Sequence, residues 1–392
     1  MSAFFSNANV NRLFAHTALR QLAYGIGGVF SAVFLLRVGI TPVGIFLVFA
    51  AVFLVRFAFR PPALLIIRAI GLRPALIAGT VLMATQYPLL ALVTGMGPAL
   101  VLFCLVSALA NVLYWPCYHT VFSAVGDVQR RGSQVGARQL LGAVAGICGP
   151  AAGGLALALF GPWAAFGAAA AIEAAAILPL LRVPAPSLPN GGPNDTRVGF
   201  LLFATDAWVI NGSALAWYMV MFPVLQSRFD AFGGVLALAA FAGAIAGLVV
   251  GHFIDKGHGR RAVLLNAILV FASMVVRAFC GSEPIAIVAA AVFTAVTGGL
   301  YIPTLMSAVY NVAKASPNPL LFQFAAERGW DVAGALVCLL AAALCARGIA
   351  LQPLILLATP AVAVQAWLLD SVARRPLQQA ADRRLRATAS SS

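Results

Sequence analysis

Gln323, Glu327 and Asp331 stand four residues apart inside a long apolar run. At that spacing the three side chains share one face of a helix. The same run holds Arg328, and other apolar runs hold Arg20, Arg56, Arg138, Glu173, Asp206 and Arg277. A charge inside a lipid-embedded helix costs about 2.5–3.5 kcal/mol on the insertion scale, so each implies a partner or a wet cavity. The chemistry open to such a set is ion pairing and proton exchange. Burial favours a neutral acid and a nearby arginine favours the carboxylate, so a pair that opens and closes can titrate. The expected pairs are Arg20–Glu327 and Arg138–Asp206, acting as a latch or as a proton site. Glu173 has no companion charge in its own run and is expected to be neutral or snorkelling.

Aromatic residues accompany these charges. Tyr114, Trp115, Trp217, Tyr218 and Tyr301 could line the path of an organic substrate. Trp217 and Tyr218 near a run's end also fit the role of interface anchors. Tyr114 and Tyr301 fall mid-run beside prolines. His119 near Cys117 is too small a ligand set for a metal centre, which needs about four. No metal and no cofactor is expected.

The elements that must position these residues follow from composition. Of 392 residues, 62% are hydrophobic and 9% charged, against roughly 25% charged in a soluble domain. Twelve apolar stretches are long enough to span a bilayer: 13–36, 42–60, 74–93, 97–122, 135–160, 162–182, 198–225, 231–253, 262–280, 284–313, 320–346 and 348–370. The six cysteines form no CxxC pair, and all lie in these runs. The net charge of +14 does not point to nucleic acid, because the arginines punctuate the apolar runs. The polar start, residues 1–12, lacks a signal-peptide cleavage pattern, so the first helix is expected to stay.

The basic residues give an orientation. With the N-terminus in the cytoplasm, the cytoplasmic segments hold 17 of the 25. They are Arg12, Arg60, Arg68, Arg73, Arg130, Arg131, Arg182, Arg197, Lys256, Arg260, Arg261, Lys314, Arg374, Arg375, Arg383, Arg384 and Arg386. The opposite loops hold Arg37, Arg228 and Arg347. Both termini are therefore expected inside. The stretch 184–197 is rich in Pro, Gly and Asn and divides a six-helix bundle, 1–183, from a second, 198–370, before a basic tail, 371–392. An internal repeat supports the division. Leu113-Tyr114-Trp115-Pro116 recurs 187 residues on as Leu300-Tyr301-Ile302-Pro303, and the same offset carries Gly25 onto Gly212. Two halves related in this way are the mark of a transporter with a site between them.

Two segments carry a family resemblance. After the eighth run, Gly251, Asp255, Lys256, Gly257, Gly259, Arg260 and Arg261 resemble the loop motif of the major facilitator superfamily, with one extra residue before the arginine pair. The corresponding loop of the first half is degenerate: Arg68 stands where the acid belongs, before Gly71 and Arg73. The fifth run, with Gly149-Pro150 and Gly153-Gly154, is similar to the glycine-rich helix of proton-coupled efflux antiporters of that superfamily, although Ala145 replaces a glycine. Glycines four apart also make a flat face for close helix packing. The intramembrane arginine of the antiporters' fourth helix is absent, since that region reads Ala108 to Tyr114 without one. The resemblance implies an all-α membrane protein of twelve helices in two pseudo-symmetric bundles. It further implies that the first, fourth, seventh and tenth helices line a cavity.

The expectation is a secondary transporter of a small organic solute, working by alternating access as a monomer in a bacterial inner membrane, with protons as coupling ion and export as direction. The expected substrate and proton path holds Arg20, Tyr114, Arg138, Asp206, Tyr301, Glu327, Arg328 and Asp331. The expected gating loops hold Arg68, Gly71, Asp255, Arg260 and Arg261. Import of a metabolite and lipid flipping use the same architecture. A membrane-embedded enzyme would concentrate His, Asp or Cys at one depth, and no such set is present. A phosphate loop for an ATP-driven pump is also missing.

Overall fold

The computed structural model describes residues 7–125, 131–184, 191, 196–254 and 259–372. Among these, twelve helical segments follow one another without a strand: α1 Ala8–Arg37, α2 Pro42–Ile70, α3 Leu72–Ala91, α4 Pro98–Val125, α5 Arg131–Leu159, α6 Gly161–Leu180, α7 Arg197–Val224, α8 Phe229–Ile254, α9 Gly259–Phe279, α10 Pro284–Ala315, α11 Pro319–Ala346 and α12 Leu351–Val372. Among the described residues, ten are long and apolar enough to cross a membrane. Local signals set the starts. Asn7, Thr41 and Asn318 cap α1, α2 and α11 through their side-chain oxygens, and proline opens α2, α6, α10 and α11.

Eleven of the twelve expected spans match to within about five residues at each end. The exception is the second, expected to end at 60. In the structure α2 runs through Pro61 and Pro62 to Ile70. Prolines cost a soluble helix a hydrogen bond and a clash, but in a bundle the neighbouring helices tolerate them. The helix stops at Gly71, whose φ of +91° suits glycine alone. Arg60, read as a loop residue, is therefore inside α2.

Twelve alternating helices put the start of α1 and the end of α12 on one face, here the terminal face. The first six helices form one bundle and the last six another. In the first, α1 packs on α5 and α6, and α3 on α4 and α6; in the second, α7 packs on α11 and α12, and α10 on α8 and α9. The halves meet along two seams, α2 against α11 and α5 against α8.

The repeat is visible in contacts. A Cβ on Gly25 would lie 2.9 Å from the Gly149 backbone in α5, and one on Gly212 would lie 2.9 Å from Val337 in α11. The α5 glycine run wedges between the halves. A Cβ on Gly153 would stand 2.3 Å from the Ile26 carbonyl, and one on Gly154 2.5 Å from the Phe229 carbonyl in α8. Backbone cannot move aside as a side-chain tip can. Gly153→Ala is therefore expected to destabilise the protein by about 1–3 kcal/mol, as overpacking does. Gly167→Ala, at a position with nothing within 4 Å of the added Cβ, is expected to melt like wild type. Thermal unfolding of the detergent-purified variants reads the difference.

Candidate functional site

Four charges meet on the α2–α11 seam. Arg56 Nη2 lies 3.2 Å from Glu327 Oε2, and Arg56 Nε lies 2.8 Å from Asp331 Oδ1. Arg60 Nη2 reaches the same Glu327 oxygen at 2.9 Å, and Arg60 Nε reaches Asp331 Oδ2 at 2.7 Å. All four side chains are at most 7% exposed. The pattern is a consequence of spacing. Two helices run antiparallel, each with charges four residues apart on its inner face, so each cation bridges both anions. Gln323, one turn away on α11, is buried as well. At 1.5 Å per residue the quartet lies roughly 12–21 Å from the terminal ends of its helices.

Such a quartet suits a reversible gate. The cost of desolvating buried ions largely cancels their mutual attraction, so the pairing adds little net stability. Losing one partner is another matter, because it strands an opposite charge out of water.

The expected Arg20–Glu327 pair is not formed. Glu327 belongs to Arg56 and Arg60, while Arg20 lies in the first bundle with its Cζ 4.5 Å from the centroids of both Tyr114 and Trp115. The reason is the rotational setting of α1: Arg20 faces α4 across its own bundle rather than the α2–α11 seam. Arg138 of the other expected pair has no described side chain. Asp206 instead accepts a 2.7 Å hydrogen bond from Tyr301 Oη, which itself accepts one from Gln365 Nε2 at 3.0 Å. Among the described residues no cation lies within 4.0 Å of Asp206.

Tyr114 and Tyr301, expected to offer flat faces to a substrate, are 0% and 7% exposed. Each is instead bonded to the first helix of its own half. His16 lies 2.8 Å from the Ala176 carbonyl through Nδ1 and 2.9 Å from Tyr114 Oη through Nε2. A carbonyl only accepts, so Nδ1 carries the proton and Tyr114 donates to Nε2. Trp217, read as an interface anchor, is buried beneath Arg277. Glu173, read as solitary, is buried and within electrostatic reach of Arg20.

Arg328 is exposed and lies over the Phe57 ring at 5.1 Å. Arg68 is exposed at the end of α2, and Gly71 makes the whole turn to α3, so the first expected gating loop is a single residue. Asp255 lies outside the described residues, as do the side chains of Arg260 and Arg261. Two arginines counted as orientation signals have structural work: Arg12 and Arg73 donate to the carbonyls of Arg182 and Val183, at 2.7 and 3.1 Å, just past the end of α6.

Two aromatic layers close the space between the halves. Toward the terminal face, His119 of α4 lies 2.9 Å from Tyr310 Oη of α10, and Phe122 packs on the same ring. Toward the opposite face, Phe30 of α1 packs on Phe229 and Phe232 of α8. Among the described residues no cluster of three or more His, Cys, Asp or Glu side chains could hold a metal.

The sequence matches no family model and no curated protein. Its fold does match solved structures. The human organic anion transporter MFSD10 (TETRAN) superposes with a TM-score of 0.67 at 15% identity, over 92% of this chain and 99% of that one. A mutant of the nucleoside transporter NupG superposes with a TM-score of 0.62 at 13% identity, over 93% and 99%.

Proposed function

We propose that this chain, which has the major facilitator fold, is a secondary transporter that moves a small organic solute by alternating access. The observation that carries the reading is the buried quartet of Arg56, Arg60, Glu327 and Asp331, which ties one bundle to the other at a depth where a gate must open and close. Transport of organic solutes is also what the names of both structural neighbours describe. The proposed orientation has the terminal face in the cytoplasm, which the basic loops support, and on it the quartet closes the inner side.

Protons are the proposed coupling ion and Asp206 their carrier. This carboxylate is buried against a neutral phenol, so a proton can come and go without breaking an ion pair. Glu327 is the poorer carrier, because its charge completes the quartet. Export is the proposed direction, supported by the likeness of the α5 glycine run to the antiporter helix and by its wedge between α1 and α8. The test is flux in proteoliposomes with and without an imposed pH gradient, using solutes selected by thermal shift. Accumulation that follows the gradient supports the reading. Flux indifferent to the gradient leaves a uniporter.

A further inference from the structure

Arg20 is a membrane-depth cation without a salt bridge. Among the described residues no carboxylate lies within 4.0 Å of it. Its partners are the faces of Tyr114 and Trp115 and the Met83 sulfur at 3.9 Å. A guanidinium has five N–H donors in a planar fork, shaped for a carboxylate or phosphate. Most of them here are unfilled by protein.

The surroundings are open on one side. Arg20 is half-buried, and Tyr24, one turn on along α1, is 52% exposed although it lies within electrostatic reach of Tyr218 in α7. That stretch of α1 is therefore not fully covered by protein. By helical rise, Arg20 and Tyr24 stand about 18–24 Å from the terminal end of α1, between the His119–Tyr310 layer and the Phe30–Phe232 layer.

Behind Arg20 stands Glu173. The helices α1 and α6 run antiparallel and touch at His16–Ala176 and again at Gly27–Ala169. The level between these contacts brings Arg20 opposite Glu173. Glu173 is 1% exposed, and its Oε1 has no hydrogen-bond partner. The groups within electrostatic reach of it are Arg20 of α1, Tyr87 of α3 and Tyr114 of α4, and His16 of α1 bonds to the Ala176 carbonyl three residues on.

We infer that Arg20 is the anchor for the anionic group of the transported solute, a flat organic anion whose body lies against Trp115 and Tyr24, and that Glu173 is the counter-charge that limits its affinity. The inference rests on the transporter reading for its biological sense, yet equilibrium binding tests it without flux, so the two fail separately. The rings lie against the guanidinium and leave most of its donors without a protein acceptor. Glu173 supplies negative charge close by without filling the fork.

The experiment is titration of detergent-purified protein with naphthoate, benzoate and indole acetate, each against its neutral carboxamide. In wild type the acids are expected to bind roughly ten- to a hundredfold more tightly than the amides, the gain of a charge-assisted pair. Arg20→Gln is expected to erase that preference and Arg20→Lys to keep part of it. Glu173→Gln is expected to tighten the acids and leave the amides unchanged. Arg347→Gln, at an exposed position between α11 and α12, is expected to match wild type. Melting curves confirm that each variant is folded, and Arg20→Lys serves if Arg20→Gln is not. Equal binding of acids and amides, absence of acid binding up to the millimolar range, or a preference that survives loss of the Arg20 charge would each overturn the inference.

Discussion

Glu327→Gln is expected to unlock the α2–α11 seam and to slow transport more than any other single change on that seam. The substitution keeps shape and removes one negative charge, leaving Arg56 and Arg60 against Asp331 alone. Breaking a buried ion pair in this way costs about 3–5 kcal/mol, a shift of roughly 100- to 1,000-fold or more in the closed–open equilibrium. Because that cost falls on the closed seam alone, it appears as a changed gate rather than general unfolding. The control is the double variant Arg60→Gln with Glu327→Gln, which restores charge balance. If the four groups act as a unit, the two changes are strongly non-additive and the double variant recovers much of the transport. Strict additivity would reduce the quartet to four independent contacts.

The second large effect is expected at Asp206. In Asp206→Asn the carbonyl can still accept from Tyr301, so the local hydrogen bond and the packing of α7 on α10 survive. What is lost is a group that takes and gives a proton. Substrate binding is expected to stay within a few-fold of wild type, while accumulation driven by a pH gradient falls to the level of passive exchange. Tyr301→Phe is the companion change. It frees Asp206 of the Tyr301 hydrogen bond without removing the carboxyl, and is expected to weaken coupling without abolishing it. Undiminished gradient-driven accumulation in Asp206→Asn would remove Asp206 from the proton path.

The architecture was legible because its cause is the bilayer. Length and apolarity mark a spanning helix however the bundle packs, and the repeat at Tyr114 and Tyr301 matched the two-bundle organisation. The partners of the charges were less legible. Pro61-Pro62 suggested a helix end, and this put Arg60 in a loop. Yet the signal for the quartet was present: Arg56 and Arg60 are four apart, as are Glu327 and Asp331, and equal spacing on antiparallel helices permits pairing in register. Arg20 failed for a different reason. Depth along the chain said that it could reach Glu327, but the rotational setting of α1 decides which neighbour it faces. Tertiary packing fixes that setting, and no local pattern reports it. The same ambiguity hid Glu173, whose nearest cation lies on another helix.

The most direct test of a carrier gated by the quartet is the distance between the two halves at the terminal face. Spin labels at Ile66→Cys on α2 and Pro317→Cys beside α11, both exposed positions, in a background without the native cysteines, report it by pulsed electron resonance. The account expects one short distance for the labelled protein with its quartet intact. With Glu327→Gln it expects a second population several ångströms longer, withdrawn again when Arg60→Gln restores charge balance. A single unchanged distance in all three proteins would contradict it.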